Sequence, residues 1–242
     1  MSKFIEIFPD LTALVERSHD LVKEKIEQSI TARGICTLAL AGGSTPKPLY
    51  EMLSQDSLPW ENIHIFWGDE RYVPPTHPDS NEKMARTAWL DQVQIPHTNI
   101  HPMPTLSSNP ELDAEEYDTH LREFFSVQPG EFPCFDLILL GMGDDGHTAS
   151  LFPHTPALRI RDRLITVGNK NEEPRLTFTV PLINTASCVL FMVAGANKQK
   201  ALEQVFLPEG DDFNYPSRLI KPQGELWWFL EENAAKKIKY LV

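Results

Sequence analysis

Residues 135–153 read FDLILLGMGDDGHTASLFP. An unbroken apolar run, Phe135 to Leu140 apart from Asp136, ends in Gly141, Gly143 and Gly146, with Asp144, Asp145 and His147 set among and just behind them. A short apolar run with no polar alternation suits a strand buried on both faces, as in a parallel sheet covered by helices on either side. The glycines then mark an abrupt turn at the strand's carboxyl end, and Pro153 bars a long helix from following. Working outward, Ile35 to Ala41 is a second such strand and ends in Gly42-Gly43-Ser44-Thr45, while Ile63 to Trp67 is a third and ends in Gly68-Asp69-Glu70-Arg71.

Segments of helical period separate these strands. Asp10 is placed to cap a helix whose apolar stripe is Leu11, Leu14, Val15, Leu21, Val22, Ile26 and Ile30, with Gly34 beyond its end. Helices are also expected over Pro46 to Leu53, from Ser80 as cap through Leu90, over Glu111 to Phe125, over Asn197 to Phe206 and over Glu232 to Ile238. Further strands are expected at Leu164 to Val167, Leu176 to Val180, Val189 to Val193 and Leu226 to Leu230. Strands alternating with helices imply parallel pairing through right-handed crossovers, hence a single α/β domain spanning residues 1–242 with a mainly parallel sheet between helical layers. In such a sheet, ligands bind beyond the carboxyl ends of the strands, so the GGST, GDER and GMGDDGH loops are expected to share one pocket.

The chain carries a formal net charge of -12, with 41% hydrophobic and 23% charged residues. With no cluster of lysines and arginines, this balance argues against nucleic acid and against an anionic membrane surface. No apolar run is long enough to span a bilayer and none has the form of a signal peptide, so a cytoplasmic protein is expected. Cys36, Cys134 and Cys188 show no metal-ligand or redox spacing and are expected to be reduced, buried thiols.

Gly141-Met-Gly143-Asp-Asp-Gly146 satisfies the dinucleotide pattern G-x-G-x-x-G. Two aspartates would face the pyrophosphate, the following helix is cut short, and no acid closes the next strand candidate, so that reading fails in context. Gly42-Gly43-Ser44-Thr45-Pro46 lacks the ending of a P-loop but has the makings of an anion site: glycines admit a close ligand, hydroxyls donate, and Pro46 suits a first helical turn. Its plain alternative is a capped tight turn. Gly68-Asp69-Glu70-Arg71 is either a solvated charge run or a source of acid and guanidinium at a strand end. Arg71, Arg175 and Lys198 are the cations best placed for a small anion, since a few fixed charges outweigh a distant net charge screened over about 8 Å. His147 has Asp145 two residues before it, a carboxylate that can orient an imidazole for general base work. Ser150 lacks a nucleophile elbow and is expected to pack or cap locally. A metal set built from Asp144, Asp145, His147 and His154 fits no standard spacing.

Taken in order, LALAGGSTPKPLYEML, IFWGDERYVPPTHPDSN, FDLILLGMGDDGHTASLFP, PRLTFTVPLIN and GANKQKAL resemble the 6-phosphogluconolactonases, with GHTASLFP the most specific block. The resemblance implies a Rossmann-like layered sandwich of the NagB/RpiA/CoA transferase-like type. It further implies hydrolysis of 6-phosphoglucono-1,5-lactone to 6-phosphogluconate in the oxidative pentose phosphate pathway. On that reading His147 and Asp145 are catalytic, and Gly42, Gly43, Ser44, Thr45, Asp69, Arg71, Arg175 and Lys198 contact substrate, the phosphate lying near Gly43, Ser44 and Thr45. The chemistry calls for no cofactor and no metal. The related glucosamine-6-phosphate isomerase/deaminases typically continue their histidine as GHIAFNEP; the glutamate of that motif is absent here, which favours the lactonase. An amino-sugar phosphate isomerase or deaminase using Asp69 as proton-transfer base, and a non-catalytic sugar-phosphate sensor, are the alternatives. Nothing in the sequence fixes an oligomeric state.

Overall fold

A computed structural model of the protein describes residues 2–238. In chain order the elements are β1 (Ser2–Phe8), α1 (Leu11–Arg33), β2 (Cys36–Leu40), α2 (Lys47–Leu53), β3 (Ile63–Trp67), β4 (Asp69–Arg71), α3 (Asn81–Ala88), α4 (Pro110–Phe125), β5 (Leu137–Leu140), β6 (Ile165–Lys170), β7 (Glu173–Phe178), α5 (Val180–Asn184), β8 (Cys188–Val193), α6 (Gln199–Phe206), β9 (Glu225–Glu231) and α7 (Glu232–Ala235). Six strands form one sheet in the order β1-β9-β8-β5-β2-β3, every neighbouring pair parallel.

The period-2 alternation of side chains sorts the sheet's apolar residues between two cores. Leu38, Leu40, Ile63, Ile65, Trp67, Leu137 and Leu139 face one way and pack with Leu14, Val22 and Ile26 of α1, Tyr50 of α2 and Ala85 of α3. Ala39, Phe66, Ile138 and Leu140 face the other way and pack with Tyr117 and Leu121 of α4 and Leu202 of α6. Because both faces are covered, the central strands are continuous apolar runs, β2, β5 and β8 being buried at every position. The helix ends follow the local chemistry. Asp10 accepts the Ala13 N–H at 2.9 Å, Gly34 closes α1 with φ 81°, and Ser80 accepts the Lys83 N–H at 3.1 Å to start α3.

Two strand expectations need correction. The segments around Leu164 to Val167 and Leu176 to Val180 do not join the parallel sheet. As β6 and β7 they form an antiparallel hairpin that, with the three-residue β4, makes a separate sheet in the order β4-β7-β6. Only a few residues link β6 to β7, too few for a crossover, so antiparallel pairing is the only geometry open to them. This small sheet is tied to the large one where Gly68 N–H donates to Leu40 O at 2.9 Å and Phe178 N–H donates to Gly68 O at 2.8 Å. The N-terminal β1, an edge strand read from sequence only as lacking a signal peptide, pairs with β9. Cys36 and Cys188 are buried free thiols as expected, but Cys134 is exposed in the turn before β5, with Sγ 3.2 Å from Ser187 Oγ. Among the described residues, no helix is long and apolar enough to cross a membrane.

Candidate functional site

Parallel pairing of β2, β3, β5 and β8 brings their carboxyl ends to one edge, and the chain leaves that edge through the loops after Leu40, Trp67, Leu140 and Val193. These loops and the β6–β7 hairpin surround a cavity of about 420 Å³. Gly42, Gly43, Ser44, Thr45, Asp69, Arg71, His147, Arg175 and Lys198 all line it. Asp145 does not; it stands behind His147.

The loop after β5 is built to present one imidazole. Gly143 N–H donates to His147 O at 2.8 Å, Thr148 Oγ1 donates to Gly141 O at 2.8 Å, and Ser217 donates to Gly146 O through both its N–H at 3.0 Å and its Oγ at 2.8 Å. Gly143 is required by proximity, since a Cβ there would lie 2.0 Å from His147 Nδ1. Within this frame His147 Nδ1 and Asp145 Oδ1 are 2.5 Å apart, and the same carboxylate oxygen accepts the His147 backbone N–H at 3.0 Å. Burial by itself would raise the Asp145 carboxyl, but hydrogen bonds from the His147 ring and N–H, with the imidazole charge, outweigh it and hold the group down at about 2. An ionised carboxylate only accepts, so Nδ1 is the nitrogen that donates to it, and in the neutral form of the ring the lone pair is left on Nε2. Nε2 has no protein partner among the described residues, while the ring lies 4.5 Å from the Phe152 ring, centroid to centroid. The pair is therefore a supported imidazole whose basic nitrogen is uncommitted.

The opposite chemistry lines the other walls. Arg71 and Arg175 sit directly across from one another in the β4–β7 pair, an arrangement of like charges that is unfavourable unless an anion lies between or beside them. Burial first, and then the neighbouring Arg71, lower Arg175 from the ordinary guanidinium value. The Nε atoms of both arginines are buried without a hydrogen-bond partner. Lys198 follows β8, and the exposed Lys170 at the end of β6 is a further cation of the cavity. Among the described residues, none of these four cations has a carboxylate within 4 Å.

Glu70, by contrast, is a structural group. It accepts from the N–H groups of Arg71, Asn81 and Glu82, each at 2.8 Å, and from Ser80 Oγ at 3.1 Å, which fastens β4 to the start of α3. Its burial pushes the carboxyl up to about 7 against the pull of those N–H bonds. This clamp delivers Asn81, which the sequence reading did not single out. The Asn81 amide donates to Asp69 O at 2.8 Å, and a Cβ on Gly42 would fall 1.8 Å from its Oδ1, so Gly42 and Asn81 share one space in the cavity wall. Lys170 was also missed; the signal for it lay in the turn chemistry of Asn169-Lys170-Asn171-Glu172, where Asn171 and Glu172 take φ of 51° and 68°. Ser150 departs from its expected local role. Its hydroxyl donates across the molecule to Asp69 Oδ2 at 2.6 Å. His154 pairs with Asn214 Oδ1 at 2.5 Å.

Fold and site together define an α/β protein of the doubly covered parallel-sheet class, with a cavity at the strand ends lined by four cations and a carboxylate-supported histidine in its wall. The chain belongs to the glucosamine-6-phosphate isomerases/6-phosphogluconolactonase family, whose model matches residues 9–228. It is 61% identical over 238 residues to a 6-phosphogluconolactonase of Nostoc sp., the match covering 98% of this chain and 99% of that one. A solved structure of 6-phosphogluconolactonase from Trypanosoma cruzi superposes with a TM-score of 0.89 at 28% identity, covering 99% of this chain and 98% of the other. A monomeric glucosamine-6-phosphate deaminase shares the fold, with a TM-score of 0.80 at 17% identity over 97% of this chain and 99% of that one.

Proposed function

We propose that the protein hydrolyses 6-phosphoglucono-1,5-lactone to 6-phosphogluconate, as a cytoplasmic enzyme in which residues 1–242 act as one domain. The observation that carries this reading is the 2.5 Å contact between Asp145 and His147 Nδ1, which leaves Nε2 uncommitted beside a cavity walled by unpaired cations. His147 Nε2 takes a proton from water as the water oxygen bonds to the lactone carbonyl carbon, and Asp145 holds the ring and stabilises the imidazolium. Collapse of the tetrahedral intermediate breaks the bond to the ring oxygen, which leaves as a hydroxyl with the proton returned from His147. The dianionic phosphate is held at the cationic end of the cavity by Arg71, Arg175 and Lys198 together with Gly43, Ser44 and Thr45. Gly42 and Asp69 complete the contacts with the sugar. High identity to named 6-phosphogluconolactonases across the full chain supports the choice of substrate.

Freshly prepared lactone, assayed against its spontaneous hydrolysis with a chelator present, tests the proposal. Wild-type acceleration with a loss of kcat of about 10²–10⁴ in folded His147→Ala is the expected result. No wild-type acceleration overturns the activity, and full turnover in the variant overturns the histidine's role.

A further inference from the structure

Asp69 stands out as the buried carboxylate of a cavity whose other charged lining residues are, apart from the exposed Asp144, cations and His147. Its side chain is buried, the residue being 8% exposed, and its carboxylate receives one hydrogen bond among the described residues, from Ser150 Oγ to Oδ2 at 2.6 Å. Ser150 is fully buried and commits its single hydroxyl proton to that bond. The frame around the pair is fixed at both ends by one residue: Thr177 lies opposite Asp69 in the β4–β7 register, and its Oγ1 accepts the Ser150 N–H at 3.2 Å. The Asp69 carbonyl is held as well, by the Asn81 amide. Despite the cations nearby, no lysine or arginine comes within 4 Å of the carboxylate among the described residues, so its charge is not consumed by an ion pair. Oδ1 thus has no partner of its own, and the residue lines the cavity.

We propose that Ser150 is a positioning residue that holds Asp69 with one carboxylate oxygen open to the cavity, where it accepts a hydrogen bond from one ring hydroxyl of a polyhydroxylated substrate. The inference rests on the lactonase reading and adds to it the means by which the site recognises the sugar as distinct from its phosphate. A carboxylate held this way can only accept, so it favours a neutral donor and repels a second anionic group at the same spot. Removing the Ser150 hydroxyl leaves a buried carboxylate oxygen unpaired and frees the side chain to turn away from the substrate.

The test compares wild type, Ser150→Ala and Asp69→Asn on the parent lactone and on the 2-deoxy, 3-deoxy and 4-deoxy lactone 6-phosphates. Ser150→Ala is expected to lower kcat/KM on the parent about tenfold, the scale of a hydrogen bond to a charged group, and Asp69→Asn to lower it at least as far. For one deoxy lactone, the one lacking the contacted hydroxyl, wild type and both variants converge to the same kcat/KM. A purely structural role would depress all four substrates equally in both variants, and that result, or unchanged kinetics in both, overturns the proposal. Wild-type failure to hydrolyse the parent overturns the lactonase reading and the proposal with it, whereas wild-type turnover without the substrate-selective loss overturns the proposal alone.

Discussion

At the scale of single residues, the hydrogen bond between Asp145 and His147 is a contact that the sequence made visible. Asp145 and His147 are two positions apart, and a carboxylate two residues before a histidine after a glycine turn can reach its Nδ1 by local geometry alone; the structure gives 2.5 Å. Asp145→Asn tests what that contact does. An asparagine can accept through Oδ1 or donate through Nδ2, so it no longer enforces a protonated Nδ1 and a basic Nε2. The expected outcome is a fall in kcat of about 10²–10⁴ with KM little changed, since a lost tautomer affects the transition state and not the phosphate contacts. Equal losses in kcat and in affinity for inorganic phosphate as a competitive inhibitor would instead mean that the loop had collapsed. The Ser150 contact to Asp69 was illegible from the same stretch. Its partners are 81 residues apart, and nothing in the pattern around Ser150 points to a strand end so far upstream.

At the scale of elements, the large sheet was legible because its central strands are uninterrupted apolar runs bounded by glycine loops. The small sheet was not. Asp69–Arg71 has no β-forming residue and becomes a strand only by pairing with Glu173–Phe178, and a charged three-residue segment carries no local sign of that partner. Missing the β6–β7 hairpin also hid Lys170, which the turn brings to the cavity. The Lys170 ammonium lies 5.7 Å and the Arg175 guanidinium 5.5 Å from the centroid of the Phe152 ring, so both cations gather at one aromatic ring. As an exposed cation, Lys170 is expected to contribute through long-range attraction to the phosphate. Lys170→Met should raise KM for the phosphorylated lactone about three- to tenfold at low salt, with kcat retained and the difference shrinking as ionic strength rises. Glucono-1,5-lactone, which has no phosphate, should show no difference between the two proteins. A loss of kcat on both lactones would place Lys170 at the reacting carbonyl.

At the scale of the whole molecule, the acid limit of stability is expected to depend on His101, the middle of three histidines in contact outside the cavity lining. His64 Nδ1 lies 3.1 Å from His101 Nε2, and His101 Nδ1 lies 2.9 Å from His120 Nε2, a chain that joins β3 to α4 through the segment before α4. The middle ring stacks on Phe66 at 4.3 Å between centroids, and the Tyr117 hydroxyl donates to the His101 carbonyl at 2.7 Å. Burial, then the charges of His120 and His64, lower His101 from its ordinary value to about 4, and burial also lowers His64. A base whose folded value is depressed binds fewer protons in the native state than in the unfolded chain. Its contribution to stability is therefore complete above about 6.5 and is lost as the pH falls toward about 4. His101→Phe preserves the stack on Phe66 and removes the titration. Urea unfolding at a series of pH values between 7 and 4.5 should show wild type losing stability more steeply than this variant, by no more than about 1.4 kcal/mol per pH unit for the one proton concerned. Carboxylates that titrate in the same range are common to both proteins and cancel in the difference. A wild-type-minus-variant curve that stays flat across this window would show that the histidine chain does not couple proton uptake to unfolding, and the acid sensitivity would then belong to those carboxylates.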